Sequence, residues 1–407
     1  MIAKARGRRL RWMAGALAAG ALAAGAVGVA AHSGAAAAMT GAGVARTAAT
    51  GDVTGTTAAT LAGVPWSKVG PGWELAEYST GRPPATVTGG VVKAYQVTLY
   101  LISPAGARYA VHSWTGPATV PYLIAWSGDK TRALLDFSAG KYEQLTLATG
   151  KFTTGTLAGG AQPMGYTLPG GADIYGVTEG LSSDAVARYS QAGKQLKLLT
   201  RGADENVAVY AANGATLAVS GAKGLELVSN GGGVIRSLPV PGTDTAIGCD
   251  PARWWNATTV LTQCIAKNTG EPRLWLVPVN GKKPTALTPQ RGAKGPDLGD
   301  VGAWQLSSGL YLQSLGACGT VQIFKQAANG SLSAVVPPHT AGNNNLIVTS
   351  VGPRLLLDAQ TGCPGSLSLL WYNPATKAEQ WLLHSPAADA GVIGVIAFNS
   401  TENALPF

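Results

Sequence analysis

Residues 126–137 read WSGDKTRALLDF, and residues 210–221 read YAANGATLAVSG. Each opens on an aromatic, turns through Gly, Asn or Asp, and ends in a short apolar strand. Small and polar turn residues between β-prone runs make a hairpin. The apolar strand recurs as WELAEY at 73–78, RALLDF at 132–137, DIYGVT at 173–178 and ATLAVS at 215–220, then as TVLTQC at 259–264, LYLQSL at 310–315 and RLLLDA at 354–359. The starts lie 41 to 59 residues apart, the spacing of propeller blades. An aromatic precedes most of these strands: Trp66, Trp126, Tyr166, Tyr210, Trp255 and Trp304, with Val348 and Ser350 in the seventh unit.

A second hairpin follows each marker. Its turns are PAGAR at 104–108, ATGK at 148–151, QAGK at 191–194, NGGG at 230–233, NGKK at 280–283, AANG at 327–330 and NPATK at 373–377. No stretch of the repeat region keeps a 3.6-residue apolar period, so the hairpins pair into four-stranded antiparallel sheets. One such sheet buries both faces only by stacking radially on its neighbours, which also leaves short, protected edges. The expectation is an all-β chain over 64–407, a seven-bladed β-propeller. GVIGVIAFN at 391–399 acts as a closing strand that pairs with the first blade. A weak candidate for that blade's inner strand also lies around Val64 to Lys68.

The N-terminus carries Lys4, Arg6, Arg8, Arg9 and Arg11, then a mildly apolar Ala/Gly run with small residues before candidate cleavage points at Ala31 and Ala38. This is a signal-peptide pattern over 1–38; an uncleaved single-span anchor is the rival. No cysteine precedes Cys249, which excludes a lipidated N-terminal cysteine. Residues 39–63 are Ala-, Gly- and Thr-rich and read as a flexible linker. Removing the five basic residues of the segment from the net charge of +9 leaves +4. With no basic run elsewhere, nucleic acid is excluded as a partner. Weak attraction to an anionic wall or membrane surface stays open.

Four cysteines in an exported chain imply disulfides. Cys249 and Cys264 flank the first hairpin of the fifth unit and can face each other across it. Cys318 and Cys363 lie 45 residues apart, in equivalent loops of units six and seven. The favoured pairing is Cys249–Cys264 with Cys318–Cys363; Cys264–Cys318 would also join adjacent blades. No CxxC with nearby His supports a metal.

SGDK at 127–130, SAGK at 138–141 and SGAK at 220–223 match S-x-x-K, but that chemistry needs a helical turn to set Ser beside Lys, and none of the three has one. No P-loop, dinucleotide fingerprint, G-x-S-x-G or H-E-x-x-H occurs, so no cofactor is expected. No spacing among the 21 carboxylates singles out an acid pair for glycosidic chemistry. His112, His339 and His384 fall at or near the ends of outer strands in units one, six and seven, which become contiguous once the ring closes. They mark one sector as a candidate binding face, although outer strand ends are too far apart for one ion to gather all three. Packing between blades accounts for Trp66, Trp126, Tyr210 and Trp304. One of Trp254 and Trp255 is expected to point outward.

The stretches at 126–137 and 210–221 resemble the repeat of TolB-like propellers, a WD40-like pattern of aromatic, Ser-Pro-Asp-Gly-Lys-type turn and short apolar strand. The resemblance spans about 320 residues. In its Ala- and Gly-richness the chain is also similar to secreted actinobacterial proteins of that type. No unit has the full Pro-Asp-Gly turn, and a TolB-like propeller has six blades where seven units are counted here. The resemblance implies a protein- or ligand-binding propeller without its own catalysis. The expected function is an exported monomer, at the cell envelope or outside the cell, that binds an unknown protein or small ligand through one face. The alternative is a propeller-type lyase or glycan-acting hydrolase with its site at the central channel mouth. A propeller piece of a prolyl-peptidase-like protein fits less well, because no hydrolase domain follows Phe407.

Overall fold

The computed structural model describes residues 58–81, 95–115, 121–138, 140–178, 184–203, 208–221, 224–244, 248–268, 270–289, 297–316, 321–340, 344–360, 367–384 and 391–398. The expected signal peptide, nearly all of the linker, and Cys318 and Cys363 lie outside these residues.

Among the described residues the regular elements are strands, apart from three single 3₁₀ turns at 61–63, 66–68 and 158–160. The first unit holds β1 (Glu74–Ser79), β2 (Gln96–Ile102) and β3 (Arg108–Thr115). The second holds β4 (Tyr122–Trp126), β5 (Arg132–Ser138), β6 (Lys141–Thr146) and β7 (Lys151–Thr156). The third holds β8 (Gln162–Tyr166), β9 (Ile174–Thr178), β10 (Asp184–Tyr189) and β11 (Gln195–Ala203). The fourth holds β12 (Ala208–Tyr210), β13 (Thr216–Gly221), β14 (Gly224–Ser229) and β15 (Val234–Pro239). The fifth holds β16 (Cys249–Asn256), β17 (Thr259–Ile265), β18 (Pro272–Pro278) and β19 (Thr285–Ala286). The sixth holds β20 (Asp297–Leu306), β21 (Gly309–Gly316), β22 (Val321–Gln326) and β23 (Leu332–Ala334). The seventh holds β24 (Asn345–Val351), β25 (Arg354–Gln360), β26 (Leu367–Asn373) and β27 (Ala378–Leu383), and β28 (Gly391–Ala397) follows.

Each unit is an antiparallel meander. In the second, β4 pairs with β5, β5 with β6 and β6 with β7. Among the described residues the ladders fall into seven runs of four strands, and we take each run as one blade; of these residues only the single pairs Leu367–Gly391 and Gly221–Cys249 link neighbouring runs. The marker strands are the second strands of their blades. The first blade is completed by β28, which lies antiparallel to β1 with Ala397 opposite Glu74 and Gly391 opposite Ser79. The C-terminal run therefore closes the ring as its sequence suggested. The Val64–Lys68 candidate is corrected: Trp66 begins a 3₁₀ turn, and β28 occupies the inner position.

The apolar core follows the ring. Among the described residues it divides into seven clusters, each set between successive blades. Leu99, Leu123 and Leu135 belong to the cluster between the first and second. Trp371, Leu382, Ala76 and Ile102 belong to the one joining the seventh back to the first. Alternation along each strand sends one set of side chains to each neighbouring blade, so both faces are buried.

The second-hairpin turns explain their glycines by close approach. Five of them, through Gly106, Gly150, Gly193, Gly232 and Gly281, lean on the outer strand of the preceding blade. Gly193 has φ +84°, and a Cβ there would sit 2.1 Å from the Thr156 carbonyl oxygen; Gly232, at φ +89°, meets Leu198 O in the same way. A Gly193→Ala variant is expected to lose roughly 2 kcal/mol, from left-handed strain and this clash. Urea unfolding checks it, and an unchanged midpoint would show that the seam can shift.

Candidate functional site

The S-x-x-K matches resolve first. Ser127 Oγ donates to Asp129 Oδ1 at 2.6 Å and accepts from Arg132 N at 2.9 Å, while Asp129 Oδ1 also accepts from Thr131 N at 3.0 Å. Burial acts to raise the Asp129 pKa, but these hydrogen bonds and Arg132 outweigh it and hold the carboxyl below its usual value. Lys130 sits in the left-handed region, with Nζ 5.6 Å from the Phe398 ring centroid. The motif is a turn in which the serine faces an aspartate. Ser220 Oγ donates to Asp250 Oδ1 at 2.7 Å, tying the fourth blade to the fifth. The side chain of Ser138 and the whole of Lys223 lie outside the described residues.

A register shift recurs in six inner strand pairs and leaves Ile124, Met164, Ala252, Val301, Val348 and Ile393 as the extra residue of the inner strand. Counted from this bulge, Glu77, Tyr175 and Gln313 occupy one equivalent position on the second strands of blades one, three and six. All three reach the next blade's inner strand. Glu77 Oε2 accepts from Leu123 N at 3.1 Å, Tyr175 OH donates to Ala208 O at 3.3 Å, and Gln313 Oε1 accepts from Ile347 N at 2.7 Å. The periodic pattern hides this position, because blades two, five and seven fill it with Leu134, Leu261 and Leu356.

Among the described residues, blades one and seven carry three buried acids. Glu77 and Glu74 are fully buried on β1, and Asp358 is buried on β25. Burial pushes Glu77 up to about 8, opposed by the Leu123 N–H, and pushes Asp358 up to about 7. Glu74 is also raised by burial, opposed by the Arg354 charge and the Trp371 indole. Arg354 lies 4.9 Å over the Trp371 ring and donates to Gln380 Oε1 at 3.0 Å, and Gln380 Nε2 donates to Pro104 O at 3.2 Å. This chain of contacts latches blade seven to blade one.

The three histidines are not brought together: each has its own neighbours. His112 lies in the middle of β3, not at its end, with ring centroids 4.7 Å from Trp114 and 4.5 Å from Phe152; burial lowers its pKa. His339, past β23, pairs through Nδ1 with Glu379 Oε2 of β27 at 2.7 Å. His384 directly follows β27 and packs its ring against Trp381 at 4.9 Å. Among the described residues no group of three His, Cys, Asp or Glu is placed to hold a metal.

In the fifth blade Cys249 and Cys264 are cross-strand partners with Cα atoms 4.1 Å apart, and they form the expected disulfide. A cavity of about 60 Å³ beside it is lined by Thr243, Cys264, Arg273 and Trp275 among others. Trp254 and Trp255 are both half-buried, so neither simply points outward. Trp254 Nε1 donates to Val209 O of the fourth blade at 3.1 Å, and Arg253 lies between the Trp255 and Trp304 rings, 5.1 and 5.3 Å from their centroids.

No protein-family profile and no curated protein sequence matches the chain. Solved structures do match. A Mycobacterium tuberculosis puromycin-hydrolyzing peptidase aligns at 15% identity and a TM-score of 0.50, over 77% of this chain and 54% of its own. Virginiamycin B lyase from Staphylococcus aureus aligns at 13% identity and a TM-score of 0.44, over 70% and 96%. The Dos1 propeller aligns at 10% identity and a TM-score of 0.43, over 65% and 72%. The chain thus spans about half the length of the peptidase it matches. Likeness at this level of identity concerns the fold alone, which the ladders of the chain independently give as a β-propeller.

Proposed function

We propose that this chain is an exported, non-catalytic binding module, a TolB-like propeller of seven blades that engages a protein or small ligand at the cell envelope or outside the cell. The observation that carries this reading is where the polar side chains of the second strands go. Glu77, Tyr175, Ser220 and Gln313 each bond to the neighbouring blade's inner strand, so these four polar groups are taken up in holding the ring. The Cys249–Cys264 disulfide fits an oxidising compartment, and the basic, Ala-rich N-terminus is the signal that would take the chain there. His112, His339 and His384 enter this reading as residues of one rim sector, not as a joint ligand set.

The test is affinity capture with the secreted chain as bait in envelope extracts, read by mass spectrometry, alongside turnover assays on glycan and peptide panels. A reproducibly retained partner and no turnover is the expected result. Turnover of a panel member with nothing retained would favour a lyase or hydrolase instead.

A further inference from the structure

The outer edges of the blades differ. β19 and β23 are only two and three residues long. The edge of β3 is engaged at one point, where Ala59 bridges to Tyr109 in parallel, with Ala59 N donating to Arg108 O and Ala110 N to Ala59 O. The nine residues of β11 are broken by three register shifts against β10. In the fourth blade β15 pairs with β14 alone, with one register shift that leaves Ile235 as its extra residue, and it exposes four consecutive residues, Val234 to Ser237. Val234 is 47% and Ile235 53% exposed, and Leu196 on the neighbouring β11 is 45% exposed. The turn before β15 leans on β11 through Gly233 N to Leu199 O at 2.9 Å, so the three aliphatic residues belong to adjoining outer edges.

Among the described residues of these outer strands and turns, charge has one sign. The outer strands and turns at 191–203, 230–239 and 280–286 carry Lys194, Lys197, Arg201, Arg236, Lys282 and Lys283, all exposed, and no Asp or Glu. Exposed aliphatic residues on an unpaired edge are what a native sheet avoids unless something covers them. Basic residues on an edge also guard against self-pairing, and here they oppose a second copy of this chain, whose matching edge is equally basic.

We propose that β15 docks an extended acidic peptide segment of a protein partner. The segment adds as a strand to the fourth blade, its aliphatic residues covering Val234, Ile235 and Leu196 and its carboxylates meeting the surrounding Lys and Arg. Main-chain pairing supplies affinity, and the flanking charge supplies selectivity and salt dependence. The chain's own one-residue bridge at Ala59 shows that an outer edge of this ring accepts main-chain pairing from a further segment. This inference rests on the binding-module reading and names its partner's chemistry.

The probe is a labelled ten-residue peptide alternating Glu with Val and Thr, compared with its Lys counterpart and with phosphatidylglycerol vesicles. The Glu peptide is expected to bind, to weaken about tenfold when salt rises from roughly 0.05 to 0.5 M, and to slow hydrogen exchange at Val234–Ser237. Ile235→Asp, at an exposed position, is expected to weaken it about tenfold, with an unchanged circular dichroism spectrum and unfolding midpoint. Equal binding of the Lys peptide, protection elsewhere, or binding of vesicles alone would overturn the proposal. If Ile235→Asp retains the same envelope partner as the native chain, the binding module stands and the β15 edge falls.

Discussion

Glu77→Gln is expected to make the chain more stable than native at pH 8 and no more stable at pH 4. The Glu77 carboxyl is fully buried between β28 and β4, with Oε2 accepting from Leu123 N and placed 2.9 Å from where a Cβ on Gly394 would be. Its pKa is pushed from 4.5 up to about 8 by burial. Below pH 4.5 folded and unfolded chains both hold the proton. Between 4.5 and 8 the unfolded chain releases it and the native chain keeps it, so native stability falls as pH rises through that window. At about 1.4 kcal/mol per pH unit the full effect is roughly 5 kcal/mol, of which about 4 is expressed at pH 8. A glutamine removes this slope. Blade six shows that the side chain fits, because Gln313 makes the equivalent bond to Ile347 N at 2.7 Å. An unpaired amide hydrogen costs about 1–2 kcal/mol, leaving a net gain of about 2–3 kcal/mol at pH 8. Urea titrations from pH 4 to 9 read this directly. Asp358, pushed up to about 7, adds a parallel slope ending one unit lower, and Glu74 is raised by burial too, so the native curve should lose slope in Glu77→Gln, lose more in the double variant with Asp358→Asn, and keep the share that Glu74 contributes. A native stability that is flat from pH 5 to 8 would show that Glu77 is not held neutral.

Replacing Cys249 and Cys264 together by alanine is expected to cost about 3 kcal/mol, from the entropy of a loop closed across 15 residues. The pair spans the inner hairpin of blade five, which packs on blade four through Trp254 and on blade six through Arg253. The loss should therefore appear as a lower urea midpoint with increased exchange at β16 and β17 before global unfolding. A double variant is the right reagent, because a reductant would also reach any bond made by Cys318 and Cys363. A midpoint equal to native would mean that the hairpin and its two seams hold the blade without the cross-link.

The turns, marker strands, closing strand and Cys249–Cys264 pair were all legible in the sequence for a shared reason. Each is set by residues within one hairpin or by the period that repeats hairpins. Asn213, Asn256, Asn280, Asn329 and Asn373 each accept a backbone N–H two residues on, the local chemistry that makes such turns recognisable. Where this local signal was weak, the reading slipped. Trp66 matched the aromatic marker in one dimension but belongs to a 3₁₀ turn, because the true inner strand of that blade arrives from the other end of the chain.

The candidate sites divide in the same way. Sequence period placed His112, His339 and His384 in contiguous blades, and nothing in a period says whether side chains on different blades meet; each has neighbours of its own instead. Glu77 and Gln313 looked like scattered polar residues in apolar strands, yet they are the same seam position seen twice. The amino-acid sequence by itself determined the hairpins, their grouping and their closure, because those depend on alternation and turn chemistry over a few residues. Only the tertiary structure decided which polar groups pin one blade to the next, which acids are held neutral and which outer edge exposes aliphatic side chains. Those outcomes depend on burial and on contacts between residues some 30 to 50 positions apart, which no local pattern encodes.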